Sequence, residues 1–195
     1  EVAAGAVLAG EVFPAEAAAS AAAEPAEAGR RKNGVETTER TDDYERHRPS
    51  SMSVFSSTPA IDQSRVVAAI GAAEKRTSGE IRVLLAKHKA ADPVETAKRH
   101  FERLGMTKTA ARNGVLIFLA PASRNFAVIG DTGVHEKCGE GFWQELAKAM
   151  TEHFKRGDFT AGLVHGIERA GALLAEHFPR QKDDVNELPD EIEEA

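Results

Sequence analysis

Two short stretches and one isolated acid hold the residue types that could do chemistry. Asp131-Thr-Gly-Val-His-Glu136 places two carboxylates, a hydroxyl and an imidazole within six positions; Arg112-Asn113 sets a guanidinium beside an amide, and Glu80 stands upstream. Carboxylate, amide carbonyl and hydroxyl oxygens are hard donors, so Glu80, Asn113, Asp131, Thr132 and Glu136 are candidate ligands for Ca²⁺ or Mg²⁺. The same stretches could serve a metal-assisted phosphomonoesterase, with Asp131 or His135 as nucleophile or proton donor and Arg112 near the phosphate. Each residue also has a plainer role open to it. Asp131 can be a turn residue accepting backbone hydrogen bonds, Asn113-Gly114 a tight turn, Glu80 a strand-end acid, and His135 and Glu136 solvated loop residues.

Several other chemistries are disfavoured by pattern. Asp131-Thr-Gly133 is the aspartic-protease tripeptide, but that reaction needs two such loops sharing a proton in an all-β setting. Phosphatases with an aspartyl nucleophile typically carry a second Asp two residues on, where this chain has Gly133. The glycines around 130–141 have neither the dinucleotide nor the P-loop spacing. The seven histidines form no His-Glu-x-x-His pair, so a catalytic zinc site has little support. Cys138, the one cysteine, has no base near it in sequence and reads as an inert thiol.

The elements that must position these residues follow from periodicity. Val66, Val67, Ile70 and Ala73 recur at helical spacing, which predicts a helix between Ile61 and Gly79. Residues 80–86 read as a strand. Asp92-Pro-Val-Glu95 is a helix start, with Asp92 as N-cap, Pro93 first and Glu95 placed for a capping box; the apolar stripe Val94, Ala97, Phe101, Leu104 follows. Residues 114–120 and 126–130 predict a hairpin with a buried central strand. A helix through Phe142, Trp143, Leu146, Met150 and Phe154 ends at Gly157, and another spans about Phe159 to Phe178.

The order α-β-α-β-β-α-α predicts an α/β fold: a three-layer-like sandwich in which about four helices cover a small mixed sheet, a parallel crossover plus an antiparallel hairpin. A right-handed crossover puts the starts of both parallel strands at one end of the sheet, and the hairpin returns to that end. Glu80, Arg112, Asn113, Asp131 and the expected loop Thr132–Glu136 should therefore converge there.

The 195 residues predict one domain with long ends. Residues 1–56 read as a disordered low-complexity extension, 57–179 as the α/β domain and 180–195 as an acidic, solvated tail. Of the formal charge of −6, residues 1–60 carry −4 and 180–195 carry −5, leaving +3 on the rest. That small excess, without Lys/Arg clusters interleaved with aromatics, argues against nucleic-acid binding. No apolar run is long enough for a membrane helix. Glu11 and Glu16 interrupt the first segment and no basic region precedes it, so a cytoplasmic location is expected; export or organellar targeting is the alternative if 1–51 are a targeting extension. Met52 is a candidate natural start.

Taken in order, Ser78-Gly-Glu-Ile-Arg-Val83, Arg112-Asn-Gly-Val-Leu-Ile-Phe118, Phe126-Ala-Val-Ile-Gly-Asp-Thr-Gly-Val-His-Glu136, Phe142-Trp143, Gly157-Asp-Phe-Thr-Ala-Gly-Leu163 and Phe178-Pro179 resemble the TPM domain. That family takes its name from thylakoid acid phosphatase, photosystem II repair and receptor-modulator members, and the resemblance, from about Ile61 to Pro179, is to its small soluble bacterial branch. It implies an α/β sandwich and divalent-cation binding. It also implies either an accessory role toward a protein partner, including one at a membrane, or acid phosphatase activity of the kind attributed to a plant member. The matched positions are Glu80, Asn113, Asp131 and Thr132–Glu136.

Overall fold

The computed structural model describes residues 7–11, 60–181 and 192–195. The rest of the expected extension and most of the acidic tail lie outside the described residues.

Helix α1, Gln63–Glu74, starts where Asp62 accepts a hydrogen bond from the Arg65 N–H at 3.1 Å. It stops one turn before Gly79, because Glu74 is buried and accepts from the Ile81 N–H at 2.9 Å, which turns the chain into the next strand. Strand β2 is Ile81–Leu85 and helix α2 is Pro93–Arg103. Asp92 caps α2 by accepting from the Glu95 N–H at 2.9 Å, while the Glu95 carboxylate faces Arg99 at 3.9 Å. Strands β3, Val115–Ala120, and β4, Asn125–Gly130, form the hairpin. Helices α3, Thr132–Lys155, and α4, Phe159–His177, follow.

β2 and β3 are parallel, with Ile81 opposite Val115, and β3 and β4 antiparallel, with Val115 opposite Gly130. The architecture is thus α/β with a mixed sheet, as expected. Strand alternation splits the core in two. Ile81, Val83, Val115 and Ile117 face Ile70 of α1, Trp143 and Met150 of α3, and Ile167 and Leu174 of α4. Leu84, Leu116 and Phe118 face Phe101 of α2 and Met106. β3 is buried on both faces, which is why its sequence is an unbroken apolar run.

Two expectations about the ends need correction. Val7–Glu11, assigned to the disordered extension, forms strand β1 and pairs antiparallel with β4. Ile192–Glu194, assigned to the solvated tail, forms β5 and pairs parallel with β2, so the sheet order is β1-β4-β3-β2-β5. Both are edge strands. Their pairing draws on backbone groups that the hairpin and crossover leave open at the rims, a demand that the composition of a segment does not reveal.

A third correction concerns the site. Thr132–Glu136 is not a loop but the first turn of α3, which starts directly after Asp131. The helix kinks at Gly139 (φ 66°), so its two halves have separate faces and the apolar period becomes visible only from Phe142 onward.

Candidate functional site

The sheet end where β2 and β3 start and β4 finishes gathers the chemistry-bearing residues. The Val115 N–H donates to the Glu80 carbonyl at 2.8 Å and the Asp131 N–H to the Gly114 carbonyl at 2.9 Å, which makes the three strand ends neighbours. Convergence of Glu80, Arg112, Asn113, Asp131 and the residues after it is therefore what the topology produces.

Asp131 is the centre. It is fully buried, yet it follows a strand and caps a helix, so its carboxylate stays under the rim. Arg112 grips it in fork geometry: Nε donates to Oδ2 and Nη2 to Oδ1, each at 2.7 Å. The Thr132 N–H also donates to Oδ1 at 2.7 Å. The main-chain carbonyl of Asp131 accepts from the Val134 and His135 N–H groups at 3.1 and 3.0 Å, which starts the helix. The Arg112 side chain remains 41% exposed, so the pair has a buried acid and a base that reaches solvent. The hydrogen bond to Asp131 raises the Arg112 pKa further above its ordinary value.

The local backbone is shaped for this pair. Arg112 adopts φ 51°, the left-handed region that side chains avoid. Its carbonyl accepts from the Gly133 N–H at 3.1 Å. A Cβ on Gly133 would lie 2.5 Å from the Ala111 carbonyl oxygen and 2.8 Å from that of Arg112, so only glycine lets the helix start approach the Arg112 turn.

The other candidates occupy separate positions. Asn113 is buried, donates from Nδ2 to the Ser78 carbonyl at 3.1 Å, and leaves its Oδ1 without a hydrogen bond. Its N–H donates to Thr109 Oγ1 at 3.2 Å. Glu80 is buried. Nδ1 of His135 is buried without a hydrogen-bond partner, and Glu136 is exposed on the first turn of α3. Sequence reasoning missed Ser78 and Thr109, which fix Asn113; the Ser-Gly step before β2 was the available signal.

These residues do not fit a divalent cation as they stand. A Ca²⁺ or Mg²⁺ site needs several free oxygens pointing at one centre. Both Asp131 oxygens are taken by Arg112 and the Thr132 N–H, and among the described residues no three His, Cys, Asp or Glu side chains come together as a metal group. Asn113 Oδ1 is a buried acceptor with spare capacity. Among the described residues, no helix is long and apolar enough to cross a membrane.

A family model described as the TPM domain matches residues 53–173. No curated protein matches the chain. Among solved structures, the chain is similar to the BA42 protein of the psychrophilic bacterium Bizionia argentinensis, determined by NMR. The identity is 43% and the TM-score 0.64, over 68% of this chain and 92% of that one.

Proposed function

The chain belongs to the TPM domain family, and from that premise we propose that it is an accessory module that acts by engaging another protein rather than by hydrolysing phosphate esters. The observation that carries this reading is the two-pronged grip of Arg112 on the buried carboxylate of Asp131. A nucleophilic or proton-donating carboxylate needs an oxygen facing substrate, and Asp131 is fully buried with both oxygens turned to the Arg112 fork. His135, the other candidate, has no hydrogen-bonding partner at Nδ1 among the described residues, so nothing there fixes its tautomer as a general base requires.

Ca²⁺ or Mg²⁺ enters this reading as a competitor of Arg112. An ion drawn to Asp131 would have to displace the guanidinium, so affinity in the unaltered chain is expected to be weak. The protein partner, at a membrane or elsewhere, is part of the same proposal.

Hydrolysis of p-nitrophenyl phosphate by the full chain, with and without added Ca²⁺ or Mg²⁺ and with Asp131→Asn in parallel, tests it. The accessory reading expects no turnover above background in any sample. Metal-dependent turnover that Asp131→Asn abolishes would replace it with the phosphomonoesterase.

A further inference from the structure

Arg82 lies in β2 between Ile81 and Val83, and its side chain is only 5% exposed. A buried guanidinium is costly unless it is paired. Among the described residues, its ion-pair partner is Glu193 of β5, with Nη2 3.6 Å from Oε2, and its Nε makes no hydrogen bond. The second oxygen of Glu193 meets Arg103 Nη2 at 3.1 Å, and Glu194 Oε2 meets Lys87 Nζ at 3.1 Å. Three cations along one rim therefore converge on two adjacent acids.

The backbone and the apolar residues follow the same pattern. Ile192 pairs with Val83 and packs on the core face that holds α1, α3 and α4, Glu193 pairs with Leu84, and Ala195 packs on the α2 face. The Ala195 N–H donates to the Leu85 carbonyl at 3.1 Å, and the Lys87 N–H donates to the Ala195 carbonyl. A strand of three residues thus fills a sheet edge and, by alternation, sets Ile192 and Glu194 on one face and Glu193 and Ala195 on the other, so that each face receives one apolar and one acidic side chain. This is how a sheet accepts an added peptide strand: main-chain bonds supply affinity and alternate side chains supply specificity.

We propose that the outer edge of β2 is a docking site for an extended acidic segment of a partner protein, an apolar residue followed by two acids, and that Ile192–Ala195 occupies it as the chain's own stand-in. The charge of the rim selects the occupant, because any segment that replaces β5 must neutralise Arg82. A strand this short makes few main-chain bonds and is retained largely because it is tethered, so an untethered competitor must overcome a high local concentration. The proposal rests on the reading of the domain as an interaction module and names the chemistry of its partner.

The test uses the full chain and a fluorescent peptide, Leu-Pro-Asp-Glu-Ile-Glu-Glu-Ala, read by anisotropy. Ile192→Pro with Glu193→Lys releases the chain's own strand, and that variant should bind the peptide at least about ten-fold more tightly than the unaltered chain. Adding Arg82→Gln should abolish binding. Because Arg82→Gln disturbs a buried site, the exposed Arg103→Gln and Lys87→Gln substitutions serve as a second test and should each weaken binding about three-fold or more. Equal binding by released and unaltered chains, or equal binding of a scrambled peptide, overturns the proposal. So does an unaltered chain that sediments as a dimer and becomes monomeric on release, which would assign the edge to strand exchange between copies. Phosphate-ester hydrolysis is followed in the same samples: turnover would remove the accessory reading, whereas loss of peptide binding without turnover would remove only the docking site.

Discussion

Arg112–Asp131 and Arg82–Glu193 both set an arginine against a carboxylate at the margin of one sheet, but they bury opposite partners. At the sheet end the acid is fully hidden and the arginine 41% exposed; at the edge the arginine is 5% exposed and the acid 30% exposed. The first pair closes with two contacts of 2.7 Å between residues fixed by a turn and a helix start, and the second with one of 3.6 Å to a strand of three residues. A charge pair built from two fixed elements locks a fold. One completed by a short edge strand can be opened and refilled. That difference is what the proposed docking at the edge, and a structural part for the sheet end, rest on.

The largest expected effect attacks the locked pair. Arg112→Met leaves the Asp131 carboxylate buried without its guanidinium, and stability to urea should fall by about 3 kcal/mol. A loss near zero would mean that Asp131 reaches water or another cation and that the two pairs are alike. Next comes the backbone that brings the pair together: Gly133→Ala pushes a methyl group into the carbonyls of Ala111 and Arg112, and should cost about 2 kcal/mol by the same measurement.

The edge pair should respond less. Glu193→Ala exposes Arg82 to water once the strand lifts, so the loss should be about 1 kcal/mol, with hydrogen exchange rising at the Ala195 and Lys87 amides. A loss as large as that of Arg112→Met would erase the distinction. The smallest effect lies away from both pairs. His153 on α3 and His165 on α4 stand with ring centroids 5.5 Å apart, and burial first, then His153, lowers the His165 pKa from 6.5. The unfolded chain then binds the proton more readily than the folded one. The resulting stability is present above about pH 6.5, is lost as pH falls toward the depressed folded value, and should be seen as a small drop in thermal midpoint that His165→Gln removes.

Much of this was legible in the chain. The unbroken run of β3, the Asp92-Pro93 start of α2 and the stripe ending at Phe154 state their elements locally, and the crossover handedness then carries Arg112, Asn113 and Asp131 to one end. The pairing of Arg112 with Asp131 was not legible, since it depends on a left-handed turn at a residue that is not glycine. Nor was the helical state of Thr132–Glu136, where Gly133 conceals a helix start that only close packing requires. The edge strands were hidden for a different reason: β1 and β5 exist because β4 and β2 offer open backbone, which no property of residues 7–11 or 192–194 announces. Arg82 was the one available sign, a charge set inside an apolar strand.

The commitment of Asp131 to Arg112 is tested by calorimetric titration of Ca²⁺ into chelator-treated full chain, Arg112→Gln and Asp131→Asn, with p-nitrophenyl phosphate hydrolysis followed alongside. That commitment implies weak binding by the unaltered chain, binding at least about ten-fold tighter in Arg112→Gln, none in Asp131→Asn, and no hydrolysis in any sample. Tight binding by the unaltered chain that Arg112→Gln leaves unchanged, together with Ca²⁺-dependent hydrolysis lost in Asp131→Asn, would contradict it.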